Sequence, residues 1–319
     1  MLNIATTVAK NSRYNLSGNS KYLIVIAGPT AIGKTSTSIA LAKHFSSVIL
    51  SADSRQFYKE MNIGTAVPAP EELKEVPHHF IQHKSVTDDY NVGDYEKDAL
   101  LLIEEKFKNN NLLFLVGGSG LYIDAVIKGL DYFPEIKPEI RENLQKVFLE
   151  QGLRPLQEKL KSLDPDYYAK VDLNNAHRLI RALEICIGTG KPYSSFLGKR
   201  ETERNFQVIK IGLQAERKLL YNRINRRVDL MVEQGLLEEA KKLFDKRHLN
   251  ALQTVGYKEL FLHLEDEMDL ETAVEEIKKN TRRYAKRQLT WLRKDDSIEW
   301  FRHDEDIDNI IAYIKLKTS

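Results

Sequence analysis

The octapeptide Gly28-Pro29-Thr30-Ala31-Ile32-Gly33-Lys34-Thr35 decides the fold of the first part of this chain. It follows an apolar run, Tyr22 to Ala27, and precedes a stretch with a helical pattern, Ser36 to Phe45. This is the G-x-x-x-x-G-K-T pattern of a phosphate loop between a strand and a helix. The glycines let successive backbone N–H groups turn toward phosphate oxygens, and the helix N-terminus favours an anion. The motif predicts that the chain binds a diphosphate or a polyphosphate.

Two side chains of this loop carry specific chemistry. Lys34 supplies a positive charge to the phosphates, and Thr35 supplies a hydroxyl for a bound Mg²⁺ ion. A glycine-rich turn that binds no phosphate is the alternative, and the correct strand and helix on its flanks disfavour it. The loop alone does not specify which bond of the substrate breaks.

The composition is that of an ordinary globular chain. It has 319 residues, of which 42% are hydrophobic and 29% charged, with a formal net charge of +2. No apolar run approaches the length of a membrane span, so we expect no membrane partner. The single cysteine, Cys186, lies in an apolar string, which favours a buried thiol and a reducing, cytoplasmic setting. We expect a cytoplasmic monomer.

The N-terminal segment has an unusual composition. Residues 1–20 contain no acidic residue and several Ser, Thr and Asn residues. A mitochondrial transit peptide has a similar composition, but this segment lacks a basic amphipathic face. We therefore expect a disordered tail at residues 1–19.

Short apolar strands alternate with helical stretches over residues 20–130. Val48 to Ser51 and Leu112 to Val116 are predicted strands, and Gly117-Gly118-Ser119-Gly120 follows the second of them. This alternation predicts a parallel sheet with helices on its faces. Phe206 to Leu213 alternates as a further strand that could rejoin this sheet.

The middle of the chain has a helical pattern after Pro138, and most of the chain after Ala215 is helical as well. We therefore predict an α/β fold with a P-loop NTPase-like parallel sheet core and a helical insertion domain. The predicted core comprises residues 20–135 and 205–319, and the predicted insertion comprises residues 136–204.

A carboxylate follows the second predicted strand. In an open parallel sheet, ligands bind beyond the carboxyl ends of the strands, and Asp53 lies there with the phosphate loop and Ser119. Such a carboxylate can hold magnesium or accept a proton from a nucleophile. The alternative is a helix N-cap, which Asp supplies routinely. The phosphate loop on the same edge favours the functional interpretation.

Three histidines, His78, His79 and His83, lie close together in the sequence. His79 and His83 have the i,i+4 spacing that can bind a metal on a helix. No cysteine or further histidine cluster completes such a site, so a packed turn is the better interpretation.

Two segments are strongly basic. Lys278 to Lys294 contains eight basic residues and no acidic residue, with Tyr284 and Trp291 interleaved, which is typical either of a polyanion-binding surface or of a solvated helix face. In the other segment, Arg223 and Arg227 share one helix face. They could reach a diphosphate, but their spacing alone favours an exposed basic face.

Taken in order, these motifs resemble those of the tRNA dimethylallyltransferases, also called tRNA isopentenyltransferases. The resemblance covers nearly the whole chain after residue 20. Its residues are Gly28 to Thr35, Ser51 to Gln56, Gly64 to Ala66, Pro77 to Ile81, Val116 to Tyr122, Leu163 to Pro165, Arg178 to Glu184, Val255 to Glu259, Ala285 to Gln288, Thr290 and Trp291.

The resemblance implies transfer of a dimethylallyl group from dimethylallyl diphosphate to N6 of adenosine 37, in the anticodon loop of tRNA. It implies that Asp53 is the general base and that Ser119, where the family usually has threonine, contacts the reaction centre. The diphosphate would be held by the loop Gly28 to Thr35, with magnesium at Thr35, and by Arg227.

The resemblance also implies a set of tRNA contacts. These residues are Asp53, Ser54, Arg55, Gln56, Ser119, Arg141, His177, Arg178, Leu179, Ile180, Arg181, Gln253, Thr254, Val255, Gly256, Tyr257 and Lys258. His177 stands where glutamine is common. The chain ends without the zinc finger found at the C-terminus of eukaryotic members, so we expect a bacterial-type enzyme.

Two other function classes use a phosphate loop. A P-loop kinase, or an enzyme that prenylates free adenylate, would have no use for the basic stripe Lys278 to Lys294 or for the helical insertion. An RNA-binding ATPase would need an element that activates water, and we identify none in the sequence.

Overall fold

The computed structural model describes residues 20–198 and 203–319, and the predicted tail at residues 1–19 lies outside the described residues. A six-stranded sheet has the order β3-β2-β4-β1-β5-β6, and each of its strand pairs is parallel. The strands are β1 (Tyr22–Ala27), β2 (Ile49–Ser51), β3 (His78–His79), β4 (Leu112–Gly117), β5 (Gln207–Gln214) and β6 (Ile298–Arg302). The predicted α/β fold with a P-loop-like parallel sheet is confirmed.

Helices surround this sheet and form most of the rest of the chain. They are α1 (Lys34–His44), α2 (Pro70–Glu75), α3 (Val92–Lys106), α4 (Gly120–Lys128), α5 (Pro138–Gln151), α6 (Arg154–Leu163), α7 (Pro165–Tyr168), α8 (Ala176–Thr189), α9 (Arg217–Glu233), α10 (Leu236–Leu243), α11 (Tyr257–Leu264), α12 (Leu270–Leu292) and α13 (Ile307–Thr318). Among residues 20–198 and 203–319, no helix is both long and apolar enough to cross a bilayer.

The central strands are buried on both faces, which explains their continuous apolar sequences. Every residue of β1 and β4 is buried. Side chains alternate along β1, so that Leu23 packs in one hydrophobic cluster and Ile24 in the cluster on the opposite face. β5 pairs in parallel with β1, as expected for a strand that rejoins the sheet. Sequence reasoning missed the two edge strands, β3 and β6.

The chain divides into two compact units. The first comprises Met1–Ile127 and Arg204–Ser319, and the second comprises Lys128–Glu203. In the second unit, α5, α6 and α8 pack around buried leucines that include Leu144, Leu160 and Leu183. Cys186 lies on α8 and is buried, and burial raises the pKa of its thiol. The thiol is therefore a packing group, as its apolar sequence context indicates.

Candidate active site

The phosphate loop connects β1 to α1 and turns sharply twice. Ala31 and Gly33 have left-handed backbones, with φ of +63° and +111°, and Gly33 precedes the first residue of α1. A Cβ atom at Gly28 would lie 2.9 Å from the carbonyl oxygen of Leu213 on β5. Gly28 therefore lets the loop pack against the sheet, while Gly33 lets it enter the helix.

The ammonium group of Lys34 is turned onto its own loop. It donates hydrogen bonds to the carbonyl oxygens of Gly28 and Pro29, at 3.0 and 2.9 Å. Burial lowers the pKa of Lys34 to about 8, with nearby Arg227 lowering it further and Asp53 opposing the shift. Burial thus disfavours the charged form, and an anion in the loop would favour it.

Arg227, on α9, brings a second buried cation to this region. Burial lowers the pKa of its guanidinium, and the Asp53 carboxylate opposes that shift. Its Nε atom is buried and has no hydrogen-bond partner among the described residues. A buried donor without an acceptor costs free energy, which an anionic ligand would offset. The interpretation of an exposed basic face, which the spacing favours, is therefore wrong for Arg227. Arg223 is exposed, as that interpretation expects, and it donates a hydrogen bond to the carbonyl of Ala31 at 2.8 Å.

These groups line one cavity of about 1060 Å³ within the first unit. Its wall is formed by the phosphate loop, the turn after β2, parts of α9 and α12, and the segment before α11. Among the predicted site residues, the wall includes Thr30 to Thr35, Asp53 to Gln56, Arg227, Gln253 to Gly256 and Lys258. The volume is at the upper end of the range for small-molecule sites, about 300–1,000 Å³.

Asp53 and Ser119 lie on neighbouring turns at the carboxyl edge of the sheet. The Asp53 carboxylate accepts a hydrogen bond from the backbone N–H of Arg55 at 3.1 Å. Residues 54–57 form a turn and begin no helix, so Asp53 is not a helix N-cap. The hydroxyl of Ser119 accepts from the backbone N–H of Ser54 at 3.3 Å. Both side chains are partly exposed and therefore accessible to a ligand.

Helix α12 contributes three side chains to the site. Sequence reasoning did not assign any of them to the active site. The hydroxyl of Tyr284 lies beside Ser119, and burial together with the Asp53 carboxylate raises the pKa of Tyr284 to about 12. Gln288 is hydrogen-bonded to both the phosphate loop and the residue before Ser119. Trp291 packs against Gly120, where a Cβ atom would lie 2.5 Å from the indole. These residues are spaced by four and then three positions, which places them on one helix face. This spacing is the sequence signal that could have identified them.

The predicted tRNA contacts divide into exposed and buried side chains. Arg141, His177 and Arg178 are exposed in the second unit. Arg141 and Arg181 both face the buried carboxylate of Glu184, at 3.6 and 3.0 Å, which orients the two guanidinium groups.

Three of the predicted tRNA contacts need correction. Leu179, Ile180 and Tyr257 are buried, at 0%, 6% and 0% exposure. Leu179 and Ile180 pack in the core of the second unit, and Tyr257 packs against Gly64 and donates to the Glu239 carboxylate at 2.7 Å. These side chains hold the fold and are not available to RNA.

The basic stripe on α12 also divides into two groups. Lys278 pairs with Asp229 at 2.7 Å, and Arg282 donates to the side chain of Asn225 at 2.6 Å, so these cations serve packing. A second groove of about 410 Å³, which shares Arg287 with the active-site cavity, is lined by Arg283, Lys286, Arg287, Thr290, Trp291 and Lys294. We call these six residues the basic groove. The groove combines four cations with an indole, the composition expected of a nucleic-acid surface.

The histidine segment is packed, as the sequence indicates. The ring of His83 makes edge contacts with Phe57, Phe80 and Tyr90, and burial lowers the pKa of His83 to about 4. Among residues 20–198 and 203–319, no three His, Cys, Asp or Glu side chains form a metal-binding group.

Comparison with known proteins gives consistent matches. The IPP transferase family model matches residues 56–295. A tRNA dimethylallyltransferase of Christiangramia forsetii is 60% identical over 298 residues, covering 93% of this chain and 99% of the relative. The tRNA dimethylallyltransferase of Flavobacterium psychrophilum is 55% identical over 302 residues, covering 93% of this chain and 98% of the relative.

Solved structures agree with these sequence matches. The tRNA isopentenylpyrophosphate transferase of Bacillus halodurans is 42% identical, with a TM-score of 0.69, over 93% of this chain and 95% of that protein. A eukaryotic dimethylallyltransferase acting on tRNA is 27% identical, with a TM-score of 0.73, over 89% of this chain and 74% of that protein. The chain therefore belongs to the IPP transferase family.

Proposed function

We propose that this chain transfers the dimethylallyl group of dimethylallyl diphosphate to N6 of adenosine 37 in the anticodon loop of tRNA. The observation that carries the proposal is the single cavity in which Lys34 and Arg227 face Asp53. In this proposal, the leaving-group site and the proton acceptor lie in the same cavity. Membership of the IPP transferase family, and relatives named tRNA dimethylallyltransferase, support the reaction class.

The diphosphate side of the site would drive departure of the leaving group. The bond between C1 of the dimethylallyl group and the diphosphate oxygen breaks, and both electrons leave with the diphosphate. Lys34, Arg227 and the N–H groups of the phosphate loop would neutralise the growing negative charge. The unpartnered Nε of Arg227 is a buried donor that the diphosphate would satisfy.

The acceptor side would make the adenine amine a nucleophile. N6 forms the new bond to C1, and Asp53 takes the proton that N6 loses. The hydroxyl of Ser119, held by Ser54 and Tyr284, would orient the amine or the reacting carbon. The adenine must leave its stack in the anticodon loop to enter the cavity, which costs about a few kcal/mol. Contacts with the RNA phosphates would offset this cost.

A divalent cation fits the donor atoms of this cavity, and we propose Mg²⁺. The hydroxyl of Thr35, in the first turn of α1, lies at the wall of the cavity and would be the protein ligand of the ion. Hard oxygen donors of this kind suit Mg²⁺, which takes few protein ligands and completes its shell with phosphates and water. When bound, the ion would neutralise charge on the diphosphate oxygens.

We propose that tRNA contacts both units of the chain. In the first unit, the exposed, partly exposed or cavity-lining candidates are Asp53 to Gln56, Ser119, Gln253 to Gly256 and Lys258. In the second unit, which corresponds to the helical insertion that we place at residues 136–204, they are Arg141, His177, Arg178 and Arg181. We further propose that the enzyme acts as a monomer in the cytoplasm.

The test is a product analysis. The purified protein is incubated with dimethylallyl diphosphate and either unmodified tRNA or free adenylate, and the digested nucleosides are mapped by mass spectrometry. The proposal expects dimethylallyl adenosine at position 37 of tRNA and none from free adenylate. Modification of free adenylate alone, or of another nucleoside, would overturn it.

A further inference from the structure

The side-chain amide of Gln288 joins the two halves of the active site. Its Oε1 atom accepts a hydrogen bond from the backbone N–H of Thr30 in the phosphate loop, at 2.9 Å. Its Nε2 atom donates to the carbonyl oxygen of Gly118 at the end of β4, also at 2.9 Å. Gln288 is 7% exposed, so both bonds are made largely out of water. One amide therefore connects the diphosphate loop to the residue preceding Ser119.

The site is shaped to admit this amide. A Cβ atom at Gly118 would lie 2.2 Å from Nε2 of Gln288, which is closer than two non-bonded atoms can approach. Gly118 has no left-handed backbone, so its own conformation does not demand glycine. The contact with Gln288, together with the carbonyl of Gly28 at 3.3 Å from the same Cβ position, accounts for glycine at position 118.

The helix that carries Gln288 is fixed on either side of it. Four residues earlier, Tyr284 lies beside Ser119, and three residues later Trp291 packs on Gly120. The amide therefore projects from a part of α12 that is held in place on both sides. A fixed helix of this kind can impose a geometry on the loop that it contacts.

We propose that Gln288 is a positioning residue for the diphosphate, an inference that rests on the proposed function. By holding the N–H of Thr30 toward α12, it sets the curl of the loop that directs the following N–H groups into the cavity. By holding Gly118 with the same amide, it fixes the distance between the diphosphate and the hydroxyl of Ser119. Gln288 touches no reacting atom in this account and acts through Thr30 and Gly118.

The experiment compares three variants that remove the same connection. Gln288→Met keeps the size of the side chain and removes both hydrogen bonds. Gly118→Ala leaves Gln288 unchanged and displaces its amide, and the third variant combines the two. The control, Gln157→Met, removes a comparable bond from a glutamine amide to the carbonyl of Leu173 in the second unit. Binding of inorganic pyrophosphate is measured by calorimetry, and KM is measured for dimethylallyl diphosphate and for tRNA.

We expect Gln288→Met and Gly118→Ala each to weaken pyrophosphate binding by about tenfold, the scale of one or two lost neutral hydrogen bonds. The double variant should be no weaker than the worse single variant, because both changes break one connection. KM for dimethylallyl diphosphate should rise in parallel while KM for tRNA changes less than about twofold. Gln157→Met should leave all three constants unchanged.

Wild-type pyrophosphate affinity in a folded Gln288→Met protein would overturn the inference, and so would a fully additive double variant. If Gln288→Met does not fold, Gly118→Ala alone decides by the same measurement. Pyrophosphate binding requires no acceptor RNA. A wild-type protein that binds pyrophosphate and transfers nothing to tRNA would therefore contradict the proposed function and leave the inference about the loop standing.

Discussion

The hydroxyl oxygens of Ser54 and Ser119 lie 3.3 Å apart. The contact joins the turn after β2 to the turn after β4, two strands that are neighbours in the sheet. Tyr284 lies beside Ser119 on its other side. The hydroxyl of Ser119 is therefore held from two sides at the edge where Asp53 lies.

Replacement of Ser119 should separate the role of its hydroxyl from that of its size. Ser119→Ala should slow single-turnover transfer by about tenfold or more, because an oriented donor to the reaction centre is lost. Ser119→Thr keeps the hydroxyl and should retain most of the activity. Equal single-turnover rates for the Ala variant and the wild type would make Ser119 a packing residue.

Lys34 gives a prediction about pH. Its pKa in the folded protein is about 8, below the usual value of 10.5, so the free enzyme loses this charge as pH rises through about 8. The affinity advantage of the wild type over Lys34→Met for pyrophosphate should therefore be largest below pH 8 and shrink above it. Comparing the two proteins at each pH cancels the ionisation of the ligand itself.

Two outcomes would contradict this assignment of Lys34. One is an affinity advantage that is constant from pH 7 to pH 10. The other is a loss of tRNA affinity in Lys34→Met with unchanged binding of pyrophosphate. Calorimetry in buffers of matched ionic strength distinguishes both from the expected result.

The basic groove should bind RNA phosphates. Replacement of Arg283, Lys286, Arg287 and Lys294 by Gln should weaken tRNA binding and flatten its dependence on salt. Each phosphate contact that is lost reduces the log–log slope by about 0.7–0.9. Pyrophosphate binding should change less than tRNA binding. A fluorescence titration of tRNA over a range of salt concentrations measures the slope.

The matched control for the basic groove removes four exposed lysines elsewhere in the first unit: Lys108, Lys241, Lys242 and Lys317. It changes the net charge equally and should leave the slope close to that of the wild type. An equal change of slope in both quadruple variants would mean that net charge, and not the groove, governs binding.

Glu239 gives a prediction about stability. Its carboxylate accepts hydrogen bonds from the backbone N–H groups of Asn62, Ile63 and Gly64, at 3.0, 2.8 and 2.9 Å. Glu239→Ala should lower the free energy of unfolding by about 2–3 kcal/mol, because these three backbone donors and the hydroxyl of the buried Tyr257 lose their acceptor. The adjacent Glu238→Ala, which removes an exposed ion pair with Lys241, should cost about 0.5 kcal/mol or less. Urea denaturation measures both, and equal costs would contradict a special role for Glu239.

The local sequence pattern is enough to predict much of this fold and the edge of the sheet at which the site lies. The phosphate loop, Asp53 and Ser119 each follow an apolar strand directly, and parallel strands end at one edge. The pattern cannot predict the bond between Thr30 and Gln288, which are 258 residues apart. Nor can spacing separate Arg223 from Arg227, because the difference in burial depends on what packs against α9.

The edge strands show a second limit of sequence reasoning. β3 has only two residues, His78 and His79, too few for any alternation to be visible. β6 follows the long helix α12 after only five residues, and its two charged residues, Glu299 and Arg302, do not give the alternation of a half-buried strand. Its assignment depends on pairing with β5, a long-range contact that a local window does not contain.

The single-turnover rate of Asp53→Asn, at saturating tRNA and dimethylallyl diphosphate, tests the central claim most directly. The amide keeps the shape of the side chain and removes its capacity to accept the proton from N6. We expect the rate to fall by about 10²–10⁴-fold, with tRNA and pyrophosphate affinities within about twofold of wild type. A rate close to that of the wild type in the folded variant would contradict the assignment of Asp53 as the base.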